Sequence, residues 1–376
     1  MWVILLVSAA LAAVSPSSAP ALGRDHPIAA GSRAPTYLDG SDWRLVNLAR
    51  NHSAEPLQAT IPGDILTDLQ RGGLVKDPYF NSTWRDPAFI DAWNVGTWVY
   101  TKRFPSVAGL TKDGSAATLL LVLDGVRMGA MVHLNGKFLG NVTDQFLRYT
   151  FVLQTSDLAA TSVNVLTLAF GNSLGIPTGG RFTFSDQIDW APVMLTKDPT
   201  TSGTRAGTGE RSTFGFGVWK SVYLLPVPTS TAAITQFVPH TFYAGGHPTK
   251  LLTDGDHKGF MIKATVEFWL EQHQQDGVVS VKGNWPNAEQ TRINVTLHAG
   301  HNSVTLTIPA SETIGVRLWN PRGHGDQVMY TINATYLPTP ARTTFATATE
   351  PTTASRRRVT LQNRVLFLGP KVCPFR

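Results

Sequence analysis

The chain has one cysteine, Cys373, in 376 residues. An intrachain disulfide is therefore excluded, and so is any Cys-x-x-Cys metal knuckle. Charge is also scarce, at 15% of residues, against 42% hydrophobic. That balance rules out wholesale disorder, because enough apolar surface is present to fill packed cores. A run long enough to span a bilayer, roughly 20 apolar residues, is missing too. So is a basic face for nucleic acid. The formal net charge is +6, but Ala341 to Arg376 holds seven Lys/Arg and one acid, leaving 25 basic and 25 acidic residues before it. The body is neutral, and binding to nucleic acid is not expected.

What is present first is an apolar stretch from Trp2 to Val14, followed by small residues and Ala19-Pro20-Ala21. This has the form of a secretory signal peptide over residues 1–21. Five N-x-[ST] sequons agree with a secretory route: Asn51, Asn81, Asn141, Asn294 and Asn333. In 293–297 the pattern turns Ile293, Val295 and Leu297 one way and Asn294 and Thr296 the other. In 328–336 Asn333 and Thr335 lie opposite Val328, Tyr330, Ile332, Ala334 and Tyr336. A glycan on either polar face meets no core. The expected location is lysosomal or extracellular.

Period-two alternation dominates the rest. Phe260, Ile262, Ala264, Val266, Phe268 and Leu270 alternate with Met261, Lys263, Thr265, Glu267 and Trp269. Val304, Leu306 and Ile308 do the same. Asn135-Gly136 between strand-like residues predicts a type I′ hairpin, whose central positions both need positive φ. The unbroken run Leu119–Leu123 predicts a strand covered on both faces. Phe146–Leu153, Val163–Phe170 and Val218–Val227 read as further strands. One short helix is expected, about Asp64 to Gln70, capped by Asp64 and ended by Gly72-Gly73. Pro226 to Thr231 marks a domain boundary, and Pro338-Thr-Pro340 marks a second change in composition. The fold class is all-β, built of sandwiches.

Several blocks then occur in one order: Ala59-Thr-Ile-Pro-Gly63, Gly73-Leu-Val-Lys-Asp-Pro-Tyr79, Trp98-Val-Tyr-Thr-Lys-Arg-Phe104, Leu123-Asp-Gly-Val126, Val132-His-Leu-Asn-Gly-Lys-Phe-Leu-Gly140, Gln145-Phe-Leu-Arg-Tyr-Thr-Phe-Val152 and Gly217-Val-Trp-Lys-Ser-Val222. This order resembles the N-terminal domain of β-mannosidase-like enzymes of glycoside hydrolase family two. Val316-Arg-Leu-Trp-Asn-Pro-Arg-Gly-His-Gly-Asp-Gln-Val-Met-Tyr330 resembles a motif near the end of the family's second domain. The resemblance implies a galactose-binding-like jelly-roll over 38–228, then an immunoglobulin-like sandwich over 232–338. Residues 339–376 are expected to be a basic tail, disordered except for one candidate strand at Val365-Leu-Phe-Leu368.

The resemblance also implies a catalytic (β/α)₈ barrel, which takes about 250 residues. Only 36 follow Pro340, so the barrel is expected to be absent. Retaining glycosidases use two carboxylates about 5–5.5 Å apart. In the family these are glutamates, the acid/base following an Asn. Here the seven glutamates are Glu55, Glu210, Glu267, Glu271, Glu289, Glu312 and Glu350, and none follows an Asn. No catalytic residue is assigned, and Glu267 and Glu271 read as solvated surface charges. The family's sugar-contacting Phe-Gly-Trp-Asp-Trp-Gly-Pro stretch has its nearest counterpart in Phe184-Ser-Asp-Gln-Ile-Asp-Trp-Ala-Pro192. Asp189 and Trp190 are the implied substrate contacts, with Asp186 a competing carboxylate and Ile188 and Ala191 departing from the pattern. A carboxylate accepts from sugar hydroxyls, and an indole covers an apolar sugar face.

Histidines scattered through the second domain, among them His298 and His301, show no acid at ligand spacing. No metal or cofactor is expected. The partner is expected to be an oligosaccharide or a glycoprotein glycan. The expected function is the non-catalytic N-terminal part of a β-mannosidase-like retaining glycosidase, inactive by itself. The alternatives are a stand-alone carbohydrate-binding or structural sandwich, or a relative of β-galactosidases and β-glucuronidases.

Overall fold

The structure is a computed structural model. It describes residues 35–49, 55–77, 96–106, 118–171, 217–244, 259–310, 316–339 and 359–365, apart from isolated positions within these spans, together with a few single residues elsewhere. The signal-like segment 1–21, Asn51 and Asn81 lie outside the described residues.

The first unit contains β1 (Thr36–Tyr37), β2 (Gly40–Asn47), β3 (Leu57–Ile61), helix α1 (Ile65–Arg71), β4 (Trp98–Phe104), β5 (Thr118–Leu123), β6 (Val126–Arg127), β7 (Ala130–Leu134), β8 (Lys137–Val142), β9 (Tyr149–Gln154), β10 (Asn164–Phe170), β11 (Gly217–Val218) and β12 (Val222–Val227). They form a six-stranded sheet in the order β3-β2-β4-β10-β7-β8, facing a four-stranded sheet β1-β12-β5-β9, with β6 and β11 paired at one end. Alternate residues of each strand fill the space between the sheets: Trp43 and Leu45, Trp98 and Tyr100, Val132 and Leu134, Leu166 and Leu168 from one side, Leu119, Leu121 and Leu123 from the other. This is the expected jelly-roll sandwich.

Local chemistry places the elements. Asp64 caps α1, its carboxylate accepting from the Thr67 amide at 3.0 Å and from the Thr67 hydroxyl at 2.9 Å. Asn135 and Gly136 hold φ of 51° and 82° between β7 and β8, the geometry of the expected hairpin. The Asn135 side chain then ties that turn to β10, accepting from the Val165 amide and donating to Asn164 Oδ1, both at 2.9 Å. Pro226 sits inside β12 without cost to the sheet. There β12 pairs with β5 alone among the described residues, the β1 ladder being confined to Tyr223 and Leu224.

The second unit contains β13 (Ala233–Tyr243), β14 (Phe260–Leu270), β15 (Gln275–Gly283), β16 (Thr291–Leu297), β17 (Gly300–Ala310), β18 (Tyr330–Pro338) and β19 (Val359–Val365). Sheet β13-β14-β17 packs on sheet β16-β15-β18-β19 in an immunoglobulin-like sandwich. Ile262, Val266 and Phe268 meet Val279, Val281, Ile332 and Tyr336 in its core. Phe268 and Tyr336 make a T-shaped contact at 5.4 Å.

One expectation is corrected here. The sandwich does not end at 338, and the strand beyond it lies at Val359–Val365 rather than beginning at Val365. Val359–Val365 forms β19, paired antiparallel with β18 from Tyr330↔Val365 to Tyr336↔Val359. The reason is edge satisfaction: without β19, β18 would present a row of unpaired amides and carbonyls over seven residues. No (β/α) barrel is seen among the described residues.

The two sandwiches touch directly. Leu120, Val122, Tyr223, Leu225 and Val227, on the outer face of the four-stranded sheet, form a cluster with Ala233, and Trp269 packs against it. This second cover explains why every residue of β5 and β12 is buried.

Candidate functional site

Asp189 and Trp190, the sequence-predicted sugar contacts, lie outside the described residues, as does Asp186. What the structure fixes is the two roots of the segment carrying them. One root is the end of β10 at Phe170-Gly171, the other is the start of β11 at Gly217. Gly217 lies flat on the start of the helix: a Cβ there would stand 2.6 Å from Asp64 Cα, and its φ is +154°. Only glycine allows that approach. The Gly63 amide donates to the Val218 carbonyl at 2.8 Å and fixes this return against the α1 N-terminus.

Beside these roots lies a buried carboxylate that sequence reasoning missed. Asp68 is 1% exposed, on the inward side of α1. It accepts from the Thr60 amide at 3.1 Å, from Arg71 at 3.0 Å and from the Tyr100 hydroxyl at 3.2 Å. Burial pushes its pKa up to about 6, against the lowering effect of those hydrogen bonds and of Arg71. Burial, with the Asp68 charge beside it, also raises the Tyr100 phenol well above its usual value. Tyr100 stacks edge-on against Phe170 at 5.6 Å, the last strand residue before the root. The helical period signals Asp68 weakly: Ile65, Asp68 and Leu69 share one side.

The described glutamates form no acid/base pair at a cleft. Glu267, on β14, is half-buried rather than fully solvated, and lies 2.5 Å from His301 Nε2, accepting also from Ser303 at 3.0 Å. His301 thus has an acidic partner, found through the β14–β17 register and not through sequence spacing. Glu271 corrects an expectation too. It lies at the seam between the sandwiches, where one carboxylate oxygen accepts from Thr118 at 3.0 Å and the other is buried without a partner among the described residues. Arg148 crosses the same seam, bonding Asp124 at 2.6 Å and the Thr235 carbonyl at 2.9 Å. Among the described residues no cluster of three metal-ligating side chains exists, and no helix is long and apolar enough to cross a membrane.

The order of elements, a jelly-roll carrying the short helix α1 and then an immunoglobulin-like sandwich docked on its outer sheet, can now be set beside known proteins. The profile described as "Glycosyl hydrolase 2 galactose-binding domain-like" matches residues 43–177. This segment is a glycosyl hydrolase 2 galactose-binding-like domain.

The relatives of the galactose-binding-like domain and the sandwich after it are consistent. β-Mannosidase A from Aspergillus aculeatus is 24% identical over 328 residues, covering 81% of this chain and 32% of that enzyme. β-Mannosidase from Rattus norvegicus is 23% identical over 316 residues, again covering 81% of this chain and 32% of the enzyme. The chain therefore spans about a third of the length of the curated relatives it matches. Among solved structures, a β-D-mannosidase from Dictyoglomus thermophilum superposes with a TM-score of 0.54 at 20% identity, over 81% of this chain and 34% of that one. A glycoside hydrolase family 2 β-galacturonidase from Eisenbergiella tayi gives 0.51 at 16% identity, over 89% and 44%. At these identities the two structures speak for the shared fold.

Proposed function

We propose that this chain supplies the non-catalytic N-terminal portion of a β-mannosidase-like retaining glycosidase, one that removes terminal β-linked mannose from oligosaccharides. The observation that supports this reading is the pair of docked sandwiches, in this order, within a chain of which 81% aligns with β-mannosidases. In this reading the galactose-binding-like domain does no bond chemistry. Its role is to hold the 172–216 segment by the roots at Gly171 and Gly217, so that Asp189 accepts from mannose hydroxyls and Trp190 covers the apolar sugar face. In this reading these 376 residues do not supply the two carboxylates of the retaining mechanism: none of the seven glutamates follows an Asn, as the family's acid/base does, and the described glutamates form no pair at a cleft. Placement in the secretory route, lysosomal or extracellular, belongs to the same proposal and is supported by the 1–21 segment and the sequons.

The test is an aryl β-mannoside assay on the purified full chain. No release above a buffer blank is expected. Release that follows the chain through a second purification, and is absent from an unrelated control protein prepared the same way, would overturn the reading. Calorimetric titration with mannose gives the second arm: heat lost in Asp189→Asn supports the assigned contact, and heat unchanged in that variant argues against it.

A further inference from the structure

Three of the five sequons fall on described strands, and the fold treats them differently. Asn141 lies on β8, the outermost strand of the six-stranded sheet among the described residues, with its side chain exposed and Met131 as its cross-strand neighbour. Asn294 lies on β16, the outermost strand of the second sandwich's four-stranded sheet among the described residues, also exposed and opposite Val278. Its sequon threonine, Thr296, is exposed as well and donates to Asp276 at 2.6 Å. Asn333 lies on β18, between β15 and β19. It is half-buried and sits opposite Lys282 on one side and Gln362 on the other.

We propose that Asn141 and Asn294 carry N-linked glycans and that Asn333 does not. The two glycans then stand on the outermost strands of the two sandwiches. The physical reason is room and order of assembly. At an outermost strand a bulky, hydrated sugar projects into solvent without displacing a neighbour. At Asn333 it must find room within a sheet that continues on both sides, with Lys282 directly opposite on β15 and the β19 strand paired on the other. A chain glycosylated there must close β19 onto β18 beside the sugar, so folding selects copies without it. A glycan beside an outermost strand also obstructs a further strand from adding to its open edge, which sheet proteins must otherwise block by charge, proline or cover.

The experiment is translation of the full chain, with its own N-terminus, in the presence of microsomes. Protease protection reports luminal import, and endoglycosidase-sensitive gel shifts report glycans. Asn141→Gln and Asn294→Gln should each remove one glycan's worth of mobility shift, and Asn333→Gln should leave the pattern unchanged. A chain that is not imported, or a glycan lost in Asn333→Gln, or none lost in Asn141→Gln or Asn294→Gln, would overturn the assignment. The edge role has its own readout. The double variant Asn141→Gln, Asn294→Gln should keep the β-sheet circular dichroism of the parent but scatter light several-fold more on concentration. Equal scattering with both glycans gone would overturn that role.

Discussion

Asp68 is where the sequence and the fold pull in opposite directions. An ionised carboxylate is costly in a core, yet this one anchors α1 to β3 and β4 through Thr60 and Tyr100. Its folded pKa of about 6 lies above the usual 3.8. The folded state therefore binds the proton more tightly than the unfolded chain does. The stabilisation is fully present below the unfolded value and is lost as pH rises through about 6. Asp42 has the opposite sign, because its hydrogen bond from the buried Lys102 holds its pKa down. Its contribution is present above the usual carboxylate value and fades as pH falls. Asp68→Asn isolates the first effect. Its Tm deficit relative to the parent should grow as pH falls from about 7 to about 4, and a deficit independent of pH would contradict the assignment. Trp43 gives the largest single packing prediction. It is fully buried, with its indole N–H on the Leu38 carbonyl at 2.7 Å. Trp43→Ala should cost about 3–5 kcal/mol in a denaturant titration.

At the scale of elements, the β7–β8 hairpin depends on backbone freedom at one glycine. Gly136 has φ of +82° and open space where a Cβ would stand, so substitution there meets only the conformational penalty. Gly136→Ala should destabilise by about 1 kcal/mol, and its neighbours need not shift. The β19 strand poses a different test. Ending the chain after Arg358 removes the partner of β18 along Tyr330–Tyr336. The exposed ladder should lower the Tm of the second sandwich and raise concentration-dependent scattering, both measurable beside the full chain. Unchanged values would mean β19 contributes no pairing in solution.

At the scale of the whole molecule, the seam decides whether two sandwiches act as one body. It joins the Leu120, Val122 and Leu225 face to Ala233 and Trp269, with Arg148 and Thr118 supplying polar links across it. Val122 is 2% exposed, and its partners are contributed by both units. Val122→Asp places an unpaired charge there. Calorimetry should then show two separated unfolding transitions where the parent shows one. A single transition in both proteins, merely lowered in the variant, would mean the charge damages the jelly-roll core and leaves the coupling intact.

The alternation of Phe260–Leu270, the Asn135-Gly136 turn and the Asp64 cap were sufficient by themselves to place strands, a hairpin and the helix. Each is a local preference, enforced by atoms a few residues apart. The run Leu119–Leu123 announced double burial for the same reason, since all its residues are apolar, but it named neither cover. The sequence also carried the family resemblance through ordered blocks. Tertiary structure alone decided the rest. It turned Glu271 from a surface charge into a seam contact, gave His301 its acid through strand register, and buried Asp68 beside Tyr100. It also extended the second sandwich to Val365 and separated Asn141 and Asn294 from Asn333. Each of these depends on which distant strand lies alongside, and that is fixed by the cooperative filling of two cores and the closing of open edges. No short stretch of sequence contains that information.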